Sequence, residues 1–352
     1  MRVLVLGGTG AMGNHLVKLL SDKGIETVVT TRSNRKAEEK IKYVQGNALE
    51  IEFLKTMLVD KWDAIIDFMV YSTKGFKERV NLLLASTSQY VFLSSARVYA
   101  DTTLPIKETS PRLLDVTEDG EFLSTDEYSL TKARQEDILR NSGYSNWTII
   151  RPYITYSEDR LQLGVLEKED WLYRALHGRT IVFSENINSR KTTLTYGQDV
   201  AKGILAIIGN SSAMGEAFHI TVDNSIRWNE VLSIYLDVLE KHLGIRPKVV
   251  LKDLEHFINS HPASYQIKYD RLFNREFDNS KINTFFDTSK FVSTRDGVKN
   301  SLEKFLEKPD FRSINWRTEA LKDRVTKEIT PLHEIGGIKQ KIKYIVYRFI
   351  KK

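Results

Sequence analysis

Tyr128-Ser129-Leu130-Thr131-Lys132 sets a phenol and an ammonium four residues apart. On a helix that spacing puts both side chains on one face, so they can point into one cleft. A free phenol titrates near pH ~10 and is a poor base at neutral pH. A nearby cation favours the phenolate and brings it toward working pH. Tyr128 could then exchange a proton with a hydroxyl or a ketone. A second hydroxyl should stand opposite it to hydrogen-bond the substrate oxygen. Phe92-Leu93-Ser94-Ser95-Ala96-Arg97-Val98-Tyr99 offers two, of which Ser95 is the better placed and Ser94 the fallback. The Y-x-x-x-K spacing alone arises by chance in many chains, so its weight depends on what precedes it.

What precedes it is Gly7-Gly8-Thr9-Gly10-Ala11-Met12-Gly13, between an apolar run and an amphipathic stretch. This reads as G-x-x-G-x-x-G at a first strand-to-helix turn. Glycine is needed there for the tight turn, for backbone approach to a pyrophosphate and for close helix–strand packing. The helix N-terminus adds free N–H groups and the positive end of its dipole. The plain alternative, a glycine turn without a ligand, is weakened by that position. With a dinucleotide in place, hydride passes to or from the nicotinamide while Tyr128 moves the proton.

The end of the second strand discriminates between cofactors. An acid there binds the ribose hydroxyls of NAD, whereas arginine suits a 2′-phosphate. Thr30-Thr31-Arg32-Ser33-Asn34-Arg35-Lys36 carries three cations and no acid. Thr31, Arg32 and Arg35 therefore favour NADP, with NAD the alternative. Asn47, in Gly46-Asn47-Ala48, is placed to meet the adenine.

The elements needed to position these groups are legible in the hydrophobic pattern. Apolar runs alternating with amphipathic stretches predict an α/β fold, a doubly wound parallel sheet of the Rossmann kind. Strands are expected at 3–6, 27–31, 42–44, 64–70, 90–94 and 147–151, and helices at 14–23 and 76–86. Past residue 158 the rhythm loosens, with strands within 190–194 and 215–222 and a helix over 228–243. This divides the chain into a cofactor-binding domain at 1–155, a smaller α/β substrate-binding portion at 156–330 and a tail at 331–352. Later segments are expected to return to the first domain.

The chain resembles the NAD-dependent epimerase/dehydratase family of extended short-chain dehydrogenases/reductases, many of which act on nucleotide sugars. Beyond the glycine loop and Tyr128/Lys132, Ser95-Ala96-Arg97-Val98-Tyr99 is similar to the family's S-x-x-V-Y segment. Arg151-Pro152-Tyr153-Ile154-Thr155-Tyr156 looks like its R-P-x-x-x-Y, which implies that Tyr153 lines the nicotinamide pocket. Asp199-Val200-Ala201 and Asp278-Asn279-Ser280-Lys281 resemble its D-V-A and D-x-S-K. There are departures. Ser95 and Tyr128 are 33 apart, longer than the family's usual gap, with the excess in the acidic stretch 108–127. Ala96 and Arg97 stand where 4,6-dehydratases carry Asp-Glu, so dehydration lacks its acid and base. Thr192 occupies the place of an Arg that grips the sugar-nucleotide diphosphate, with Arg190 and Lys191 just upstream. The resemblance thus implies substrate contacts from Arg97, Arg190, Lys191 and Arg275.

The reading is an enzyme acting on a sugar hydroxyl or ketone, foremost a nucleotide-sugar 4-epimerase. An NADPH-dependent keto-sugar reductase is the alternative. A non-catalytic Rossmann protein that senses cofactor or binds RNA is the contrasting class, and the retained Ser95/Tyr128/Lys132 set speaks against it. No metal and no nucleic acid are expected, and a homodimer is compatible with the sequence. With no Cys and no apolar run at residues 2–6 long enough for a signal or a membrane span, the expected location is the cytoplasm. The formal charge of +6 concentrates in Lys339, Lys341, Lys343, Arg348, Lys351 and Lys352, between Ile338, Ile342, Ile345, Phe349 and Ile350. That pattern predicts an amphipathic cationic helix. Packing on its own domain or a partner subunit is the preferred reading over docking on an anionic membrane.

Overall fold

The computed structural model describes residues 1–350; Lys351 and Lys352 of the basic tail lie outside them. The chain divides into two compact units. The first comprises Met1–Thr155, Thr193–Asn224 and Arg275–Val292, and the second Tyr156–Thr192, Ser225–Asn274 and Ser293–Lys352.

The first unit is built on seven strands: β1 (Arg2–Leu6), β2 (Glu26–Thr31), β3 (Ile41–Gln45), β4 (Trp62–Asp67), β5 (Thr87–Leu93), β6 (Trp147–Pro152) and β7 (Glu216–Ile220). They run parallel in the order β7-β6-β5-β4-β1-β2-β3. The period-two alternation of β1 decides its two faces. Val3 and Val5 pack with Leu16, Val17 and Leu20 of α1 (Gly13–Asp22). Leu4 and Leu6 turn to the other face, which holds Leu54, Phe76, Leu83 and Leu139 of α2 (Tyr128–Arg140). A third helix, α3 (Gly197–Ile207), adds Val200 and Ile204 to the first face. Both faces are therefore covered, as a parallel sheet requires. Strand order reverses between β1 and β4, which is where such sheets bind ligands.

Two expectations need correction. The fourth strand was expected over 64–70 but stops at Asp67. There the Oδ1 of Asp67 accepts a hydrogen bond from the Met69 backbone N–H at 2.9 Å and turns the chain out of the ladder. The helix expected over 76–86 is two short ones, Thr73–Lys77 and Val80–Ala85. Between them the Arg79 guanidinium folds back onto the carbonyls of Gly75 and Leu49. The segment 215–222, read as part of the substrate portion, supplies β7 beside β6 in the first unit.

The second unit contains α4 (Trp228–Leu243), which stops at Gly244 in the left-handed region, φ 73°. Ile181–Ser184 and Val249–Lys252 form a parallel pair. Its interior carries an ion network: Arg174 reaches Glu319 at 2.9 Å and Asp323 at 2.8 Å, both on α5 (Trp316–Thr326). The tail read separately at 331–352 belongs to this unit, and its helix is α6 (Ile338–Ile345).

Candidate active site

Glu127 fixes where α2 begins, its carboxylate accepting the Ser129 N–H at 2.6 Å as an N-cap. Tyr128 is then the first helical residue and remains about one-third exposed, while Lys132, one turn on, is buried. The Nζ of Lys132 donates to the Leu93 carbonyl at 2.7 Å. It lies 4.6 Å from the Phe92 ring centre and 6.0 Å from that of Tyr128. Burial pushes the ammonium down to about 8, against the opposing pull of Asp67 and Glu136. The structure thus brings the predicted phenol and ammonium together at the end of β5.

The two serines have different surroundings. Ser94 Oγ donates to Glu136 Oε1 at 2.5 Å. The same carboxylate takes Arg151 Nε at 2.8 Å, which holds Glu136 below the usual carboxylate range despite its complete burial. Ser95 Oγ accepts the Arg97 N–H at 3.2 Å, leaving its own hydroxyl proton to donate. Arg97 is paired with Glu127 and lies over the Tyr128 ring, 5.2 Å from its centre.

Asp67 escaped the sequence reading, hidden as one polar residue at the end of Ala64-Ile65-Ile66. It is fully buried and accepts the hydroxyls of Tyr90 at 2.7 Å and Tyr71 at 3.0 Å. Desolvation raises its pKa even so. It faces Phe92 across the β4–β5 register, the ring above which Lys132 sits. Strand-end position next to the switch point was the available signal.

The glycine loop has the geometry expected of it. Gly7 adopts φ 70°, which a side chain rarely tolerates. At Gly13 an added Cβ would come within 2.6 Å of the Gly8 backbone, so helix and loop touch there. At Gly10 an added Cβ would meet nothing within 4 Å. That open approach fits a dinucleotide phosphate better than a packing role. Ala11 and Met12 complete the turn into α1, and Thr155 Oγ1 contacts Met12 Sδ at 3.6 Å. A pocket of about 300 Å³ is lined by Gly7, Thr9, Thr31, Arg32 and Asn47, together with Phe68, Met69 and Val70 just past β4. These last three were missed because they read as strand. No lining residue carries a carboxylate. Arg35 does not join the lining; its guanidinium carbon lies 5.7 Å from the Tyr43 ring centre. The residues present fit an adenine dinucleotide.

The remaining candidates separate. Arg275, expected to contact a diphosphate, is fully buried and donates to the carbonyls of Tyr99 (2.9 Å) and Ala100 (3.1 Å). It braces the loop after Ser95. Tyr153 is buried too, hydrogen-bonded with Arg275 and 5.3 Å from the Phe277 ring. Arg190 and Lys191 lie in the second unit, where Asn274 Oδ1 accepts the Lys191 N–H at 2.9 Å. The Arg190 Nε is buried with no hydrogen-bond partner among the described residues.

A family model described as the NAD dependent epimerase/dehydratase family matches residues 3–221. The chain belongs to that family of NAD-dependent enzymes of the extended short-chain dehydrogenase type. Among curated proteins it is 23% identical over 246 residues to the chloroplast stem-loop binding protein of 41 kDa b of Arabidopsis thaliana, covering 65% of this chain and 60% of that one. It is 32% identical over 137 residues to UDP-glucose 4-epimerase of Streptococcus mutans, covering 32% of this chain and 41% of that protein. Among solved structures, UDP-glucuronic acid 4-epimerase from Bacillus cereus, in complex with UDP-glucuronic acid and NAD, superposes with a TM-score of 0.64. That match is 16% identical and covers 87% of this chain and 99% of the other, a likeness of fold.

Proposed function

We propose that the chain is a nucleotide-sugar 4-epimerase in which Tyr128 is the proton-transfer group. The observation that carries this reading is the desolvated Lys132 one turn beyond a one-third exposed Tyr128, held on the Leu93 carbonyl two residues before Ser95. Ser95 donates to the reacting sugar oxygen and orients it. Tyr128 accepts the hydroxyl proton as the C–O bond becomes a carbonyl, and returns it in the reverse step. Lys132 stabilises the phenolate that accepts the proton in the first step and is restored when the second returns it. A nicotinamide, when bound, would supply the hydride acceptor and donor. UDP-linked hexoses are the first substrates to try, because the Streptococcus mutans and Bacillus cereus proteins act on them by name.

One observation favours a second reading. Arg32 lines the adenosine pocket and no acid does, which suits a 2′-phosphate and hence an NADPH-dependent keto-sugar reductase. One experiment separates the two: denature the purified protein, identify any released nucleotide, and follow UDP-glucose and UDP-glucuronic acid by proton NMR. Released NAD⁺ with interconversion of the C4 epimers supports the epimerase. An empty protein that prefers NADPH supports the reductase. A Tyr128→Phe variant should lose at least about a hundredfold in turnover. Unchanged turnover would reject both readings.

A further inference from the structure

Six of the 52 cations and none of the 46 acids lie in residues 335–352, so that segment carries the whole +6 and the remainder is balanced. The structure shows how the segment is held. Tyr344 is buried; its hydroxyl donates to Asp323 Oδ2 at 2.6 Å and accepts the Thr330 N–H at 2.8 Å. Arg324 reaches the Tyr347 carbonyl at 2.7 Å, and Arg348 the Glu328 carbonyl at 3.0 Å. One face of α6 is thereby fixed to its own unit, as the sequence reading preferred.

Among the described residues, the opposite face is turned toward solvent. Ile338, Ile342 and Ile345 of α6 recur at four- and three-residue steps and share an arc of about 60° on an α-helix, and Phe349 follows four residues on, in the π-helical turn Val346–Ile350. All four are exposed, from 37% at Ile345 to 76% at Ile338. Lys339 and Lys341 flank the arc, with Lys343 and Arg348 behind them. A helix anchored by tyrosines on one side thus turns an apolar, cation-bordered stripe outward. An isolated exposed isoleucine needs no explanation, but an aligned row of them does.

We propose that this stripe is a docking surface for an anionic lipid bilayer, with α6 lying in the plane of the headgroups. The apolar row would enter the boundary between headgroups and acyl chains while the lysines reach lipid phosphates. Charge selects this occupant. A second copy would bring the same cations against the same cations, and a nucleic acid would leave the isoleucines without a partner.

The test is sedimentation of the full-length protein with vesicles of phosphatidylcholine alone or containing one-third phosphatidylglycerol. We expect binding to the anionic vesicles that falls with salt, and about tenfold weaker binding to the neutral ones. Ile342→Glu with Phe349→Glu should abolish it, and Lys339→Ser with Lys343→Ser should weaken it. Both sets lie on exposed positions, so thermal transitions and Tyr128-dependent turnover should match the parent. The proposal is overturned if the parent stays in the supernatant, or if the glutamate variant binds as well as the parent. It is equally overturned if the parent is a vesicle-independent dimer that the glutamate variant converts to monomer.

Discussion

Ser94 and Glu136 share a 2.5 Å hydrogen bond in the buried wall behind β5, and it separates two serines that are adjacent in sequence. Glu136 is simultaneously the counter-ion of Arg151, which is itself fully buried. Ser94 is therefore part of a scaffold, and Ser95 is the serine proposed to meet the substrate. Ser95→Ala should lower turnover by about a hundredfold with little change in melting temperature. Ser94→Ala should cost about 1 kcal/mol of stability and leave turnover nearly intact. Glu136→Gln, which strands the Arg151 charge, should cost about 3–5 kcal/mol. Urea unfolding and steady-state kinetics on the three variants check all of this. Equal turnover loss in both serine variants would contradict the assignment.

The depressed ammonium of Lys132 has a pH signature. Between pH 8 and the ordinary lysine value of 10.5 the unfolded chain holds a proton that the folded chain has released. Stability from this group therefore rises with pH across that window. The span corresponds to about 3 kcal/mol. Relative to Lys132→Met, the parent should gain stability from pH 8 to pH 10.5, read by chemical unfolding at each pH. A difference that stays flat across the window would mean the lysine titrates normally.

Asp67 supplies part of the field that keeps Lys132 charged. Replacing it by Asn removes a negative charge and leaves the side chain nearly the same size. The ammonium of Lys132 should then lose its proton more readily, and the basic limb of the kcat profile should move to lower pH. An effect on KM alone, with the limb unmoved, would reduce Asp67 to packing.

Much of this was legible because local signals and tertiary demands agreed. The Val3–Leu6 apolar run, the glycine loop and the Tyr128–Lys132 spacing each answer to one element, and each element formed as read. The failures lie where tertiary contacts decide. Arg275 looked like a free cation for a diphosphate, but sequence cannot show that it is buried and donates to the backbone carbonyls of Tyr99 and Ala100. Asp67 was invisible for the converse reason: a lone acid ending an apolar run gives no hint of tyrosines 4 and 23 residues away. Arg35 was read from its charge alone, and its guanidinium carbon lies 5.7 Å from the Tyr43 ring centre, outside the pocket lining.

The glycine loop allows fold and ligand demands to be separated by substituting two of its members. At Gly13 a methyl group would collide with the Gly8 backbone, so alanine must push α1 away from the loop. Gly13→Ala should therefore lower both thermal stability and dinucleotide affinity. At Gly10 the methyl group meets open space in the protein itself, and the backbone there is not in the left-handed region. Gly10→Ala should melt at the parent temperature or slightly above, since alanine restricts the unfolded chain more than glycine does. Its cost appears only when a phosphate must approach the backbone at that position. Titration with NADH and NADPH should then show at least about a tenfold loss of affinity for whichever is bound. Parent-like affinity in Gly10→Ala would mean the pyrophosphate does not pass over this turn.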